Sequence, residues 1–208
     1  MSKTNKSDVP LTGIAIGAVA LALVVLFAVF LPKAHGEAGE SSTHQRISLP
    51  ASLPGGYLAA DRIDAWKGAG AQVKGHEAEL VGQVKAELSY GDKQLAKTAP
   101  ADYGNRIYLK NGQSIFFVQV FRSAGGAFAP GELSDPSKSG EGSSVQQLTK
   151  VGDSVCIVDG SVSGPGQVQP SSTQCQRSGD DLTVQITSPG TAASDVAKVA
   201  DLVFAAVR

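Results

Sequence analysis

Cys156, Cys175 and His76 carry the most reactive side chains in the long C-terminal part of this 208-residue chain. The other two histidines, His35 and His44, lie in a polar stretch upstream. Zinc takes three or four N, S or O ligands. One histidine beside two cysteines that pair with each other leaves no such set, and no cofactor is expected. His76-Glu77-Ala78-Glu79 lacks the second histidine of a HExxH motif, so His76 reads as a solvated helix residue. No serine stands in G-x-S-x-G, and none is followed three residues later by lysine. The paired acids Asp180-Asp181 and Glu77/Glu79 read as solvated pairs, the first at a turn and the second on different faces of a helix. Gly68, Gly70 and Gly75 lack the strand–turn–helix context of a dinucleotide loop. Gly125-Gly126 can turn the chain or offer backbone amides to an anion. No catalytic residue is assigned, and the chain is not read as an enzyme.

The cysteines have a different chemistry. An even count in a translocated domain predicts a disulfide. Cys156 sits in a predicted strand and Cys175 in one that can pair with it. Cross-linking them closes a loop of about 20 residues, which the chain-entropy model values at about 3 kcal/mol. The reading opposed to this is two buried thiols in a cytosolic domain.

Residues 11–31 (LTGIAIGAVALALVVLFAVFL) contain no charge over 21 positions. A helix of about 20 apolar residues crosses a bilayer core, so this run predicts a single transmembrane helix in contact with membrane lipid. It is longer than the apolar core of a cleaved signal, about 7–15 residues. Lys3 and Lys6 precede the run; Lys33 and Arg46 follow it, which leaves the positive-inside count nearly tied. The cysteines break the tie in favour of a cytoplasmic tail (1–10) and an outer C-terminal part. Asn5-Lys6-Ser7, a glycosylation sequon, then lies on the silent side. Gly13 and Gly17 form a small-xxx-small pair that can bring helices together.

Residues 32–56 are small and polar and predict a flexible stalk, with Leu49-Pro50 and Leu53-Pro54 placed to dock on the domain. Residues 57–208 suit one domain with one core. The whole chain has net charge −1, and Lys3, Lys6 and Asp8 contribute +1, so the remainder carries −2. That balance argues against nucleic acid as partner.

Within the domain, 57–67 predicts one or two helical turns containing Trp66, the one tryptophan. Val73, Leu80, Val81, Val84, Leu88 and Leu95 form a helical stripe over 73–97. The runs 105–110 and 114–121 flank Asn111-Gly112, the dipeptide of a type I′ hairpin turn. Ile115, Phe117 and Gln119 share one face of the second run; Phe116, Val118 and Val120 share the other, which predicts a central strand covered on both sides or nearly so. Residues 122–143 read as a long Gly/Ser/Pro loop with Phe128 and Leu133 as apolar anchors. Together with Gly125 and Gly126, and with the neighbouring hairpin, these form the candidate binding surface, because long loops are commonly functional. Four short strands follow, over 145–151, 154–158, 172–177 and 181–187, with 159–171 as a loose excursion between the middle two. A last helix carries Val196, Val199, Ala200, Val203, Phe204 and Val207, capped by Ser188 or Thr191. The predicted class is α+β: an N-terminal transmembrane helix, then a mostly antiparallel sheet of about six strands flanked by an N-terminal and a C-terminal helix.

Cys175-Gln176-Arg177, the strand 182–186 and the Ala/Val helix ending at Val207 are similar to extracytoplasmic domains of actinobacterial lipoproteins and kinase sensor domains. The second disulfide typical of those sensors is missing, as is an attached kinase. The resemblance implies a binding, sensor or accessory role in the cell envelope, with an envelope protein or small ligand as partner. It transfers no binding residue. The rival readings are an envelope hydrolase with a non-standard carboxylate site and a scaffold subunit of a membrane complex.

Overall fold

A computed structural model describes residues 44–208 except 100, 127 and 129. The expected transmembrane helix at 11–31, with Gly13 and Gly17, lies outside the described residues. No helix among the described residues is long and apolar enough to cross a membrane.

The described chain builds one eight-stranded antiparallel sheet and two helices, where about six strands were expected. The strands are β1 (Ser52–Leu53), β2 (Tyr57–Ala59), β3 (Tyr103–Lys110), β4 (Ser114–Phe121), β5 (Ser144–Val151), β6 (Ser154–Gly164), β7 (Gln167–Gly179) and β8 (Leu182–Pro189). The helices are α1 (Glu77–Thr98) and α2 (Ala193–Val207), and a 3-10 turn spans Ile63–Trp66. Sheet order is β1-β2-β3-β4-β8-β7-β6-β5. Two four-stranded meanders therefore meet at β4 and β8, and residues 122–143 carry the chain from the sheet centre to its far edge.

The two additional strands come from segments expected to be stalk and helical turn. Leu53 and Tyr57 are buried and pair directly, Leu53 opposite Tyr57. Burial of these side chains gives a two- and a three-residue strand enough tertiary support to form. The stalk expectation is corrected accordingly from residue 45 onward. Ile47 donates to the Tyr103 carbonyl, and Leu49 is buried in the core. Trp66 anchors the 3-10 turn through its indole N–H, which donates to the Ala60 carbonyl at 2.8 Å.

The region 159–171 also departs from expectation. β6 and β7 continue through it as a two-stranded ribbon, joined at residues 165–166. Pro170 is tolerated there because the ladder shifts register beside it and β8 pairs only from Ser172 onward.

Alternation along each strand sorts side chains to two faces. On one face α2 covers Phe116, Val118, Val120, Leu182, Val184 and Ile186, all buried in one cluster with its own apolar stripe. Arg177 fastens this helix: it pairs with Asp201 and lies 4.5 Å over the Phe204 ring. The expected cap is absent: Ser188 belongs to β8 and donates instead to the Ile115 carbonyl at 2.6 Å. On the other face α1 covers β3 and β4, where Val84 meets Ile107 and Leu109, and Leu95 meets Tyr103 and Phe121. α1 runs unbroken through Gly82 and Gly91, and begins at Glu77, not Val73.

Cys156 and Cys175 stand directly opposite each other on β6 and β7, fully buried, and form a disulfide. Their Cα atoms are 4.0 Å apart, near the shorter of the two antiparallel spacings. The bond joins two strands already hydrogen-bonded along their length, so it pins the ribbon under α2. No loose loop is involved.

Candidate functional site

α1 covers only the first half of its face. Over β8, β7, β6 and β5 that face is crossed by residues 122–143. The path is fixed by successive contacts. Thr183 on β8 donates to the Ser123 carbonyl at 3.0 Å. Gln176 on β7 donates to the Gly126 carbonyl at 3.2 Å. The Ser134 amide donates to the Gln146 carbonyl on β5 at 2.9 Å, and Gly142 donates to Val162 at 2.8 Å. The loop is thus a strap laid diagonally over the sheet.

Gly125 makes the crossing possible. A Cβ at this position would stand 2.2 Å from the Ser178 hydroxyl oxygen and 2.5 Å from its Cβ, closer than any side chain tolerates. At Gly126 there is open space, and only its carbonyl engages the sheet. Phe128 is half-buried. Leu133, expected to be an apolar anchor, is 53% exposed, because the adjacent Ser134 amide does the anchoring. Beyond it Asp135 closes a local turn, accepting from the Ser137 hydroxyl at 2.6 Å and the Ser137 amide at 3.0 Å. Those two bonds hold the Asp135 carboxyl below the ordinary carboxylate range.

The strap lies beside a row of side-chain amides. Asn105, Gln119, Gln185 and Gln176 stand directly opposite one another across β3, β4, β8 and β7. Gln185 donates to Gln176 at 3.0 Å, and Gln176 passes the chain of bonds to Gly126. At the α1 end, the Asn105 amide oxygen is buried without a hydrogen-bond partner. The row thus runs from beneath α1 to beneath the strap. It presents neutral donors and acceptors with fixed spacing. Sequence reasoning missed it, because four amides on four strands become neighbours only once the strand registers are known.

The other sequence-selected residues stand apart from this surface. The disulfide is on the opposite, α2 side of the sheet. His76 is exposed and lies 3.4 Å from Glu79. Among the described residues, no group of three or more His, Cys, Asp or Glu side chains is placed to hold a metal ion.

The chain matches no protein-family model, and searches of curated proteins and of solved structures return no match.

Proposed function

We propose that this chain is a membrane-tethered, extracytoplasmic binding or accessory module. The apolar run 11–31 is the tether, and the strap with its amide row is the contact surface. One observation carries the second half of this reading. The 122–143 segment is bonded to the sheet at Thr183, Gln176, Gln146 and Val162, and yet keeps Leu133 exposed on it. A loop held in one conformation loses little entropy on binding, and an exposed leucine beside fixed polar groups is a contact anchor. The disulfide supports the compartment, since such bonds persist in oxidising surroundings. The likeness of the C-terminal third to envelope lipoproteins and sensor domains fits the same role.

Two measurements test it. The first is labelling of denatured protein from whole cells with a large maleimide. Labelling of both cysteines only after reduction is expected; labelling without reductant overturns the outer location. The second is in-cell cross-linking with Leu133→Asp, an exposed substitution that leaves the core intact. Loss of specific cross-linked species is expected, and an unchanged profile removes the strap as contact surface.

A further inference from the structure

Where the 3-10 turn meets the N-terminal half of α1, the surface is recessed into an open pocket of about 480 Å³. That is within the span of small-molecule sites, about 300–1,000 Å³. It lies on the half of the sheet away from the strap, and its argument does not rest on the proposed function. Buried Val81 lines it, and Ile63 stands 55% exposed at the same pocket.

The charges around it are unequally committed. Asp61 gives both carboxylate oxygens to Arg106, at 3.0 and 2.9 Å, where the pair is largely shielded from solvent. Asp64 gives both of its oxygens to Arg62, at 2.9 Å each, which holds its carboxyl below the ordinary range. Both acids in the lining are therefore neutralised by arginine. Lys67 and Lys85 line the same pocket, and their ammonium groups make no ion pair or hydrogen bond among the described residues; the Lys67 charge adds only a lesser pull on Asp64, behind its bonds to Arg62. Two ammonium groups without a bonded counter-ion, beside a small aliphatic surface, match an amphipathic anion.

We propose that this pocket binds a small organic anion, with a carboxylate or phosphate group held by Lys67 and Lys85 and an apolar body against Ile63 and Val81. A free metabolite and the headgroup of an anionic lipid share this chemistry.

The test uses the full chain in zwitterionic lipid nanodiscs and phenyl phosphate as probe, followed by ligand-observed NMR. Saturable binding is expected. Lys67→Gln and Lys85→Gln should each weaken it by about tenfold, the loss of one charge-assisted bond. Lys67→Arg and Lys85→Arg should retain it, and Lys97→Gln, on a distant turn of α1, should not change it. Inorganic phosphate should bind more weakly, and Ile63→Asp should abolish the difference between the two probes. Thermal melting of each variant separates lost binding from lost fold, since all four positions are exposed. Adding phosphatidylglycerol to the discs distinguishes the sources: competition identifies a lipid headgroup, and its absence a soluble anion. No saturable binding, unchanged affinity in both Gln variants, or equal affinity for inorganic phosphate overturns the proposal.

Discussion

Along β8, Leu182, Val184 and Ile186 point to the α2 side and are fully buried among aliphatic side chains, while Thr183, Gln185 and Thr187 point to the other side. The same strand is thus half of a dry core and half of a polar floor. β4 repeats the division less sharply, because on its second face Phe117 and Phe121 pack under α1 while Gln119 joins the amide row. The two faces separate two tasks. Apolar burial on the α2 side contributes most of the stability, at about 25 cal/mol per Å². The far half of the α1 side carries mainly hydrogen-bonding groups, with Ile157 as its buried apolar side chain, and the net contribution of such bonds to stability is small. A surface that does not hold the fold together is free to hold something else.

That division predicts a wide gap between equivalent truncations on the two faces. Phe116 is 1% exposed and meets the Tyr57 ring edge-on at 5.4 Å. Phe116→Ala should cost about 3–5 kcal/mol in urea denaturation, as transfer and cavity terms add. Gln185→Ala removes one neutral bond to Gln176 and should cost about 1 kcal/mol. Comparable losses at the two positions would mean that the amide row is a structural core of its own. The disulfide lies on the core side and belongs with the large effects. Cys156 and Cys175 are 19 residues apart in sequence, and replacing both by serine should cost about 3 kcal/mol. A loss far below that, measured in the same denaturation series, would show that the β6–β7 ladder alone fixes the ribbon.

The two faces were also unequally legible. On the α2 side the apolar residues announce themselves: the alternation Phe116, Val118, Val120 and the stripe from Val196 to Val207 need only periodicity to be read. Asn111-Gly112 was legible for a local reason, since both residues take positive φ, at 54° and 66°. The ribbon through 159–171 was hidden by its composition. Gly, Ser and Pro outnumber its two buried or half-buried valines, Val162 and Val168, and only the neighbouring strand fixes them in an extended form. β1 and β2 were hidden by their length. The strap was legible as a loop, but its path depends on Gly125 meeting Ser178, a contact between residues 53 positions apart that no local pattern encodes.

Two glycines in α1 sharpen the comparison on a smaller scale. Glycine inside a helix costs about 1 kcal/mol relative to alanine. At Gly82 an added Cβ meets nothing within 4 Å, so Gly82→Ala should stabilise by most of that amount. At Gly91 the added Cβ would stand 2.8 Å from the Asn105 amide nitrogen. Asn105 begins the amide row, so Gly91→Ala must displace it, and the propensity gain should be cancelled or reversed. Thermal melts of the two variants side by side check this. An equal rise in both would show that Asn105 moves freely and that the row does not extend under the helix.

The smallest expected effect concerns Asp92, on the same stretch of α1. Its side chain is 21% exposed and pairs with Arg46 at 2.9 Å, while its second carboxylate oxygen is buried without a hydrogen-bond partner. Desolvation by burial raises its pKa, and the Arg46 charge only partly opposes this. For an acid whose folded pKa is raised, the folded state holds the proton more tightly than the unfolded state. Its contribution to stability is therefore greatest below the unfolded pKa and declines as pH rises through the folded value. Asp92→Asn removes that titration and keeps the shape. The stability of the asparagine variant relative to the parent should increase as pH is raised from the unfolded Asp value, about 3.9, through the raised folded value. Urea denaturation at several pH values across that window measures the difference directly. A difference that runs the other way would mean that the Arg46 pair outweighs the burial. The helix-covered part of this face would then owe its hold to charge as well as to Leu95 and Tyr103.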